Sequence, residues 1–152
     1  MTVLLANNVV TTLSGALTTA ATDIVVVDGS RFPSPSTGEY FYATLIATNG
    51  AVEIVKVVTR VGSSMGVTRA QEGTTAQAFA AGSRVEMRVT AAAIRDAIAD
   101  AKIMGTAPPT TGAWTRNTIV WNSEPTAGGV IGWVCVSSGT PGTWKSFGTI
   151  AA

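Results

Sequence analysis

The sequence contains no histidine. Histidine is the commonest general base near neutral pH and the commonest metal ligand, so its absence removes every Ser-His and Cys-His arrangement at once. Cysteine is almost as scarce. Cys135 cannot form an internal disulfide, and its neighbours Trp133, Val134 and Val136 mark a buried, inert thiol in an apolar strand. Charged residues make up 12% of the chain, against roughly 25% in an average soluble protein. A surface this poor in charge repels itself weakly and suits a protein partly covered by neighbouring subunits. The ten basic residues are scattered singly from Arg31 to Lys145 and offset by nine acidic ones, so no cluster for a phosphate backbone exists and nucleic acid is not an expected partner. Long apolar runs are missing too. Stretches such as Ile24 to Val27 and Val130 to Val136 fall far short of a membrane span, so no membrane insertion is expected. Met1-Thr2-Val3-Leu4-Leu5 has neither a basic nor a continuous apolar region of the secretory kind, and assembly in a cytoplasm is expected.

Motifs of catalytic type are few and poorly supported. Gly62-Ser63-Ser64-Met65-Gly66 has the spacing of a nucleophile elbow, but the elbow needs a strand-to-helix turn and a histidine base, and this stretch links two strand-like runs. Asp96 and Asp100 lie four residues apart on one helix and read as a solvated face rather than a pair of catalytic carboxylates. No metal cluster, phosphate loop or dinucleotide fingerprint occurs. The expectation is a protein that is not an enzyme, with no catalytic, cofactor-binding or metal-binding residue and no cofactor.

Thr, Val, Ala and Gly dominate what is present. Up to about Val89, short β-branched runs alternate with turn residues, the pattern of an all-β domain. Strands are expected at Val9–Leu13, Ile24–Val27, Tyr40–Thr48, Val52–Arg60, Met65–Thr68 and Arg84–Val89, with Arg31 to Gly38 a loop fixed by two prolines. Asn49-Gly50 predicts a hairpin with a two-residue turn. Phe41, Ala43, Leu45 and Ala47 alternate with Tyr40, Tyr42, Thr44 and Ile46, giving one apolar face and one mixed face.

The pattern changes at Thr90. Thr90 as N-cap, helix formers within and Gly105 at the end predict one helix over residues 90–105. Ala91, Ile94, Ile98, Ala101 and Gly105 recur at spacings of three and four, a heptad-like seam. Such a seam can pack on its own β domain or on other copies. Isoleucine at both core positions favours trimers, so Ala91, Ile94, Ile98 and Ala101 are the candidate trimer interface. From Gly105 to Gly112 a linker of Pro, Gly and Thr leads to a second β segment with strands at Thr118–Trp121, Val130–Val136 and Trp144–Phe147, and a type II turn at Pro141-Gly142. All four tryptophans, Trp114, Trp121, Trp133 and Trp144, lie here. Most are expected in the core of this small domain. Trp114, beside the linker, is the candidate surface or ligand contact, in particular for sugar rings. The fold class read from this pattern is mainly β: a small sandwich or barrel-like domain (1–89), one short helix (90–105) and a small Trp-rich β domain (106–152), assembled as a trimer.

Two stretches carry a resemblance. Asp28 to Pro33, Glu53 to Val57 and Val67 to Val85, with Thr68-Arg69-Ala70-Gln71-Glu72-Gly73-Thr74 as the specific part and Ala81 and Gly82 after it, are similar to a β module of bacteriophage tail fibres, tail spikes and related virion proteins. Phe79 stands where relatives are expected to have histidine, which marks a packing position. Ile119 to Gly148 resembles a short module of phage tail spike and fibre proteins. The resemblance implies a structural protein of the virion, many of which are trimers, and neither module implies a catalytic residue. The expected function is a trimeric attachment or connector protein of a tail fibre, spike or other appendage. Its expected partners are itself and other virion proteins. A head fibre or capsid decoration protein, and a module binding a host surface glycan, are the alternatives.

Overall fold

The computed structural model describes residues 2–152. The protein is mainly β, with two sheets and one short helix. It divides into two compact units, one running to Asp100 and the other starting at Ala101.

In the first unit, β2 (Val10–Thr12), β7 (Arg84–Glu86), β4 (Glu39–Ile46), β5 (Val52–Val61), β6 (Ser64–Gln71) and β3 (Asp23–Val25) follow one another across a sheet, and β1 (Thr2–Val3) pairs in parallel with β4. Leu13 forms a bridge with Val26, which joins the two ends of the path, so the sheet curls into a barrel-like closure. Period-two alternation fills the inside. Phe41, Ala43 and Leu45 of β4, Val55 and Val57 of β5, and Met65 of β6 are wholly enclosed, with Phe79 packed among them. Each large side chain of this set contributes roughly 1.5–3 kcal/mol by leaving water. The alternate residues of β4, Tyr40 and Tyr42, point outward and are still buried, because α1 (Ala91–Asp100) covers them with Ala92 and Ala93.

The β4–β5 hairpin forms through a three-residue loop, not the expected two-residue turn. Ala47 donates its N–H to Ala51 and accepts from Gly50, and φ is positive at Gly50 (84°) but not at Asn49. The Asn49 side chain holds the turn by accepting from the Ala51 N–H.

The helix is shorter than the sequence predicts. Thr90 caps it as expected, its hydroxyl accepting the Ala93 N–H, but the helix stops at Asp100. Residues expected in its last turn instead open the second unit. There β8 (Ile103–Gly105) pairs in parallel with β9 (Ile119–Asn122), followed by β10 (Val130–Ser137) and β11 (Thr143–Thr149) in antiparallel order. Ladder pairing with β9 overrides local helix propensity, which is a weak preference for residues such as Lys102, Ile103 and Met104. Gly132 is needed on β10: a Cβ there would lie 2.5 Å from the Val120 carbonyl and 3.0 Å from the Phe147 ring. Gly142 takes the positive φ (82°) expected of its turn, and the Thr140–Pro141 peptide is cis.

Candidate functional site

Glu53 sits on β5 in step with Val55 and Val57, so its carboxylate points into the barrel and is fully buried. Arg69 meets it with two bonds, Nε to Oε1 and Nη2 to Oε2, both 2.7 Å. The amides of Ala70 and Gln77 donate to the same two oxygens at 3.0 Å. The remaining guanidinium protons reach the carbonyls of Thr18, Ala21 and Gln77. Burial pushes the Glu53 carboxyl up, but the Arg69 hydrogen bonds and the two amides outweigh it, and the net shift is downward. The Arg69 end of the Thr68–Thr74 motif is thus spent on tying the β6–β7 connection to the barrel. Its polar groups are satisfied inside the fold.

Glu72, three residues on, accepts the Ala92 N–H at 2.8 Å, at the start of α1. A carboxylate there satisfies a helical N–H that has no partner within the helix and complements the helix dipole. Two further acids hold the helix along its length. Asp96 accepts the hydroxyls of Tyr40 (2.7 Å) and Tyr42 (3.0 Å), and Asp100 accepts the Val3 N–H at 2.8 Å. The Tyr40 hydrogen bond, helped by that of Tyr42, lowers the Asp96 carboxyl despite partial desolvation. Burial, followed by Asp96 itself, raises both tyrosines, Tyr42 to about 12. Asp96 and Asp100 are therefore docking residues. The expectation of a solvated face is corrected for Asp96, which is half-buried against the two tyrosines, whereas Asp100 stays exposed while accepting the Val3 N–H.

Docking decides which face of α1 remains. At 3.6 residues per turn, Ala92, Ala93, Asp96, Ala97 and Asp100 share the side turned to the barrel. Ala91, Ile94 and Ile98 share the other side and are exposed, Ile94 to 50% and Ile98 to 59%. The candidate seam does not pack on its own β domain. Ala101, its expected fourth member, lies beyond the helix and is exposed, and Gly105 lies in β8.

In the second unit Trp114 is half-buried, edge-on to Trp144 (5.6 Å between ring centroids), and donates its indole N–H to the Thr111 carbonyl. Trp121 is the more exposed tryptophan. It lies on β9 edge-on to Phe147, beside an open depression of about 460 Å³. Cys135 is buried, as expected. Gly62 and Ser63 form the turn of the β5–β6 hairpin, and exposed Ser64 starts β6 opposite Val61, so the Gly62–Gly66 stretch joins strand to strand without a helix.

No family model and no curated protein matches the chain. Among the described residues, no group of three or more His, Cys, Asp or Glu is placed to hold a metal, and no helix is long and apolar enough to cross a membrane.

Sequence reasoning passed over Glu53, Arg69 and Glu72 as interacting residues, although Glu53 carried a usable signal. It shares the alternation phase of Val55 and Val57, so a carboxylate falls on a core-facing position and demands a cationic partner.

Proposed function

We propose that this chain is a non-enzymatic structural subunit of a bacteriophage particle, an attachment or connector module that assembles as a homotrimer through α1. The observation that carries the assembly is the helix itself. Its Ala92/Ala93 side is pinned to the barrel by Glu72, Asp96 and Asp100, and its other side presents Ile94 and Ile98 to the outside. In heptad terms Ala91, Ile94 and Ile98 fall at the core positions a, d and a. The barrel takes the positions that face solvent in a free coiled coil. A helix this short is marginal alone, and docking supplies the order it lacks.

The phage part of the proposal is supported by the resemblance of the Thr68–Thr74 and Ile119–Gly148 stretches to virion modules. Conserving the former shape would conserve the Glu53–Arg69 lock and the Glu72 contact to the helix, which is a structural reason for such a motif. A head fibre or decoration protein differs from this reading only in where the subunit attaches. A glycan-binding module has less support, since the Trp114 ring is engaged by Trp144 and its N–H by Thr111. Locating the protein on intact particles by labelling or electron microscopy tests the proposal. Density at a tail or head appendage in groups of three supports it, and absence from purified particles overturns it.

A further inference from the structure

Arg84, Glu86 and Arg88 alternate with the core-facing Val85 and Met87, so the three share the outward side of the barrel, with Glu86 directly across from Val10 of β2. Glu86 is nevertheless only 6% exposed. A guanidinium stands at each of its oxygens: Arg84 Nη2 lies 2.7 Å from Oε2, and Arg88 Nε bonds Oε1. Both arginine side chains remain half in water, at 57% and 51% exposure.

One arginine is enough to balance a buried carboxylate. Glu53, buried more deeply, is served by Arg69 alone with the amides of Ala70 and Gln77. The second arginine at Glu86 leaves this outward group with a net positive charge, in a chain that carries little charge of either sign. Glu86 also holds the two guanidiniums side by side. It engages one nitrogen of each, and no other acceptor among the described residues engages either, so most of their N–H groups are left for a ligand.

The three residues line an open depression of about 260 Å³ together with Asn8, Val10 and Met87. Planar guanidinium forks match the two oxygens of a carboxylate. A single surplus charge balances that monoanion and would leave a phosphate dianion half-neutralised. Val10, half-exposed, and Met87 offer apolar surface for a short aliphatic stem. Sugar hydroxyls need several convergent polar groups, and Asn8 is what the lining offers beyond the ion-pair group. We infer that this depression binds an acidic side chain of a partner protein, its carboxylate on Arg84 and Arg88 and its stem against Val10 and Met87. The inference stands apart from the use made of α1, because every residue in it belongs to the barrel side of the chain.

The test is a nuclear magnetic resonance titration of the full chain with the end-blocked peptide Ala-Glu-Val-Glu-Ala, following the arginine side-chain N–H signals. Those of Arg84 and Arg88 are expected to move saturably, with a dissociation constant in the millimolar range. The matching Ala-Gln-Val-Gln-Ala peptide should leave them in place. Arg88→Gln keeps Arg84 on Glu86 and should weaken binding of the Glu peptide at least about fivefold, while Arg88→Lys, which keeps the charge and loses the fork, should fall between it and the wild type. Because the wild-type titration stands by itself, a variant that fails to fold does not remove the test. No shift of either arginine up to about 20 mM Glu peptide, equal shifts with the Gln peptide, or undiminished binding by folded Arg88→Gln would overturn the inference. Tighter binding of galacturonate or inorganic phosphate than of the Glu peptide would also overturn it, by assigning the arginines to a sugar acid or a phosphate.

Discussion

Ala92 and Ile94, two residues apart, lie on opposite sides of α1: Ala92 is 2% exposed beneath Tyr40 and Tyr42, whereas Ile94 is 50% exposed. The small side chain lets the helix approach the barrel closely, and the large one is left half-exposed. Every stabilising contact to the Ala92 side also fixes the direction in which the isoleucines point.

Asp96 should be the strongest of those contacts, because one carboxylate serves two tyrosines. Asp96→Ala is expected to weaken helix docking by about 2 kcal/mol, the scale of hydrogen bonds to a charged group. Hydrogen exchange should rise across residues 91–100 and stay unchanged in β5 and β6. Uniform exchange across both regions would place the docking energy elsewhere.

The two tyrosines of the chain are both on Asp96, so an ultraviolet pH titration reads this contact directly. Ionisation in the folded protein is expected well above the ordinary value of 10.0, with Tyr42 at about 12. The unfolded chain titrates near the ordinary value. The stabilisation from this contact is therefore fully present below about pH 10 and is lost as pH rises toward the folded value. Asp96→Ala should move the titration back toward the ordinary range; an unaltered curve would contradict the assignment.

Removing one member of the buried Glu53–Arg69 pair leaves the other uncompensated. Arg69→Ala is expected to cost roughly 3–5 kcal/mol in chemical denaturation. The double replacement Glu53→Met with Arg69→Leu should cost clearly less than the two single changes added. Because Glu53 is held below the usual glutamate value, its contribution is present above the unfolded pKa of about 4.3 and is lost as pH falls through the folded one. Additive single and double variants would rule out the coupling.

Ser64→Ala should leave both stability and particle function intact. The residue is exposed on a hairpin strand, where substitutions usually stay within about ±0.5 kcal/mol. Loss of infectivity with assembly unchanged would reveal a chemistry that the hairpin geometry gives no hint of.

Much of this arrangement is legible in the sequence. The alternation of Phe41, Ala43 and Leu45 with Tyr40 and Tyr42 announced two distinct faces of β4, and Thr90 announced the start of the helix. What was lost came from tertiary pairing. Residues 101–105 favour a helix locally, and only the ladder with β9 makes Ile103–Gly105 a strand. The contacts of Asp96 and Asp100 escape a local reading because their partners, the Tyr40 and Tyr42 hydroxyls and the Val3 amide, lie more than fifty residues away in sequence; Asp96 is half-buried by them and Asp100 stays exposed. Trp114, the expected surface tryptophan, is half-buried for a similar reason, since Trp144 meets it from a distant strand.

The central claim is that the Ile94/Ile98 face joins three copies, and light scattering of the wild type beside the Ile94→Asp/Ile98→Asp variant tests it most directly. The wild type is expected at three times the 15.5 kDa chain mass. The variant should run as a folded monomer, because burying unpaired charges on one axis costs several kcal/mol. A wild type at the mass of one chain, or a double variant that remains trimeric with unchanged thermal stability, would contradict the account.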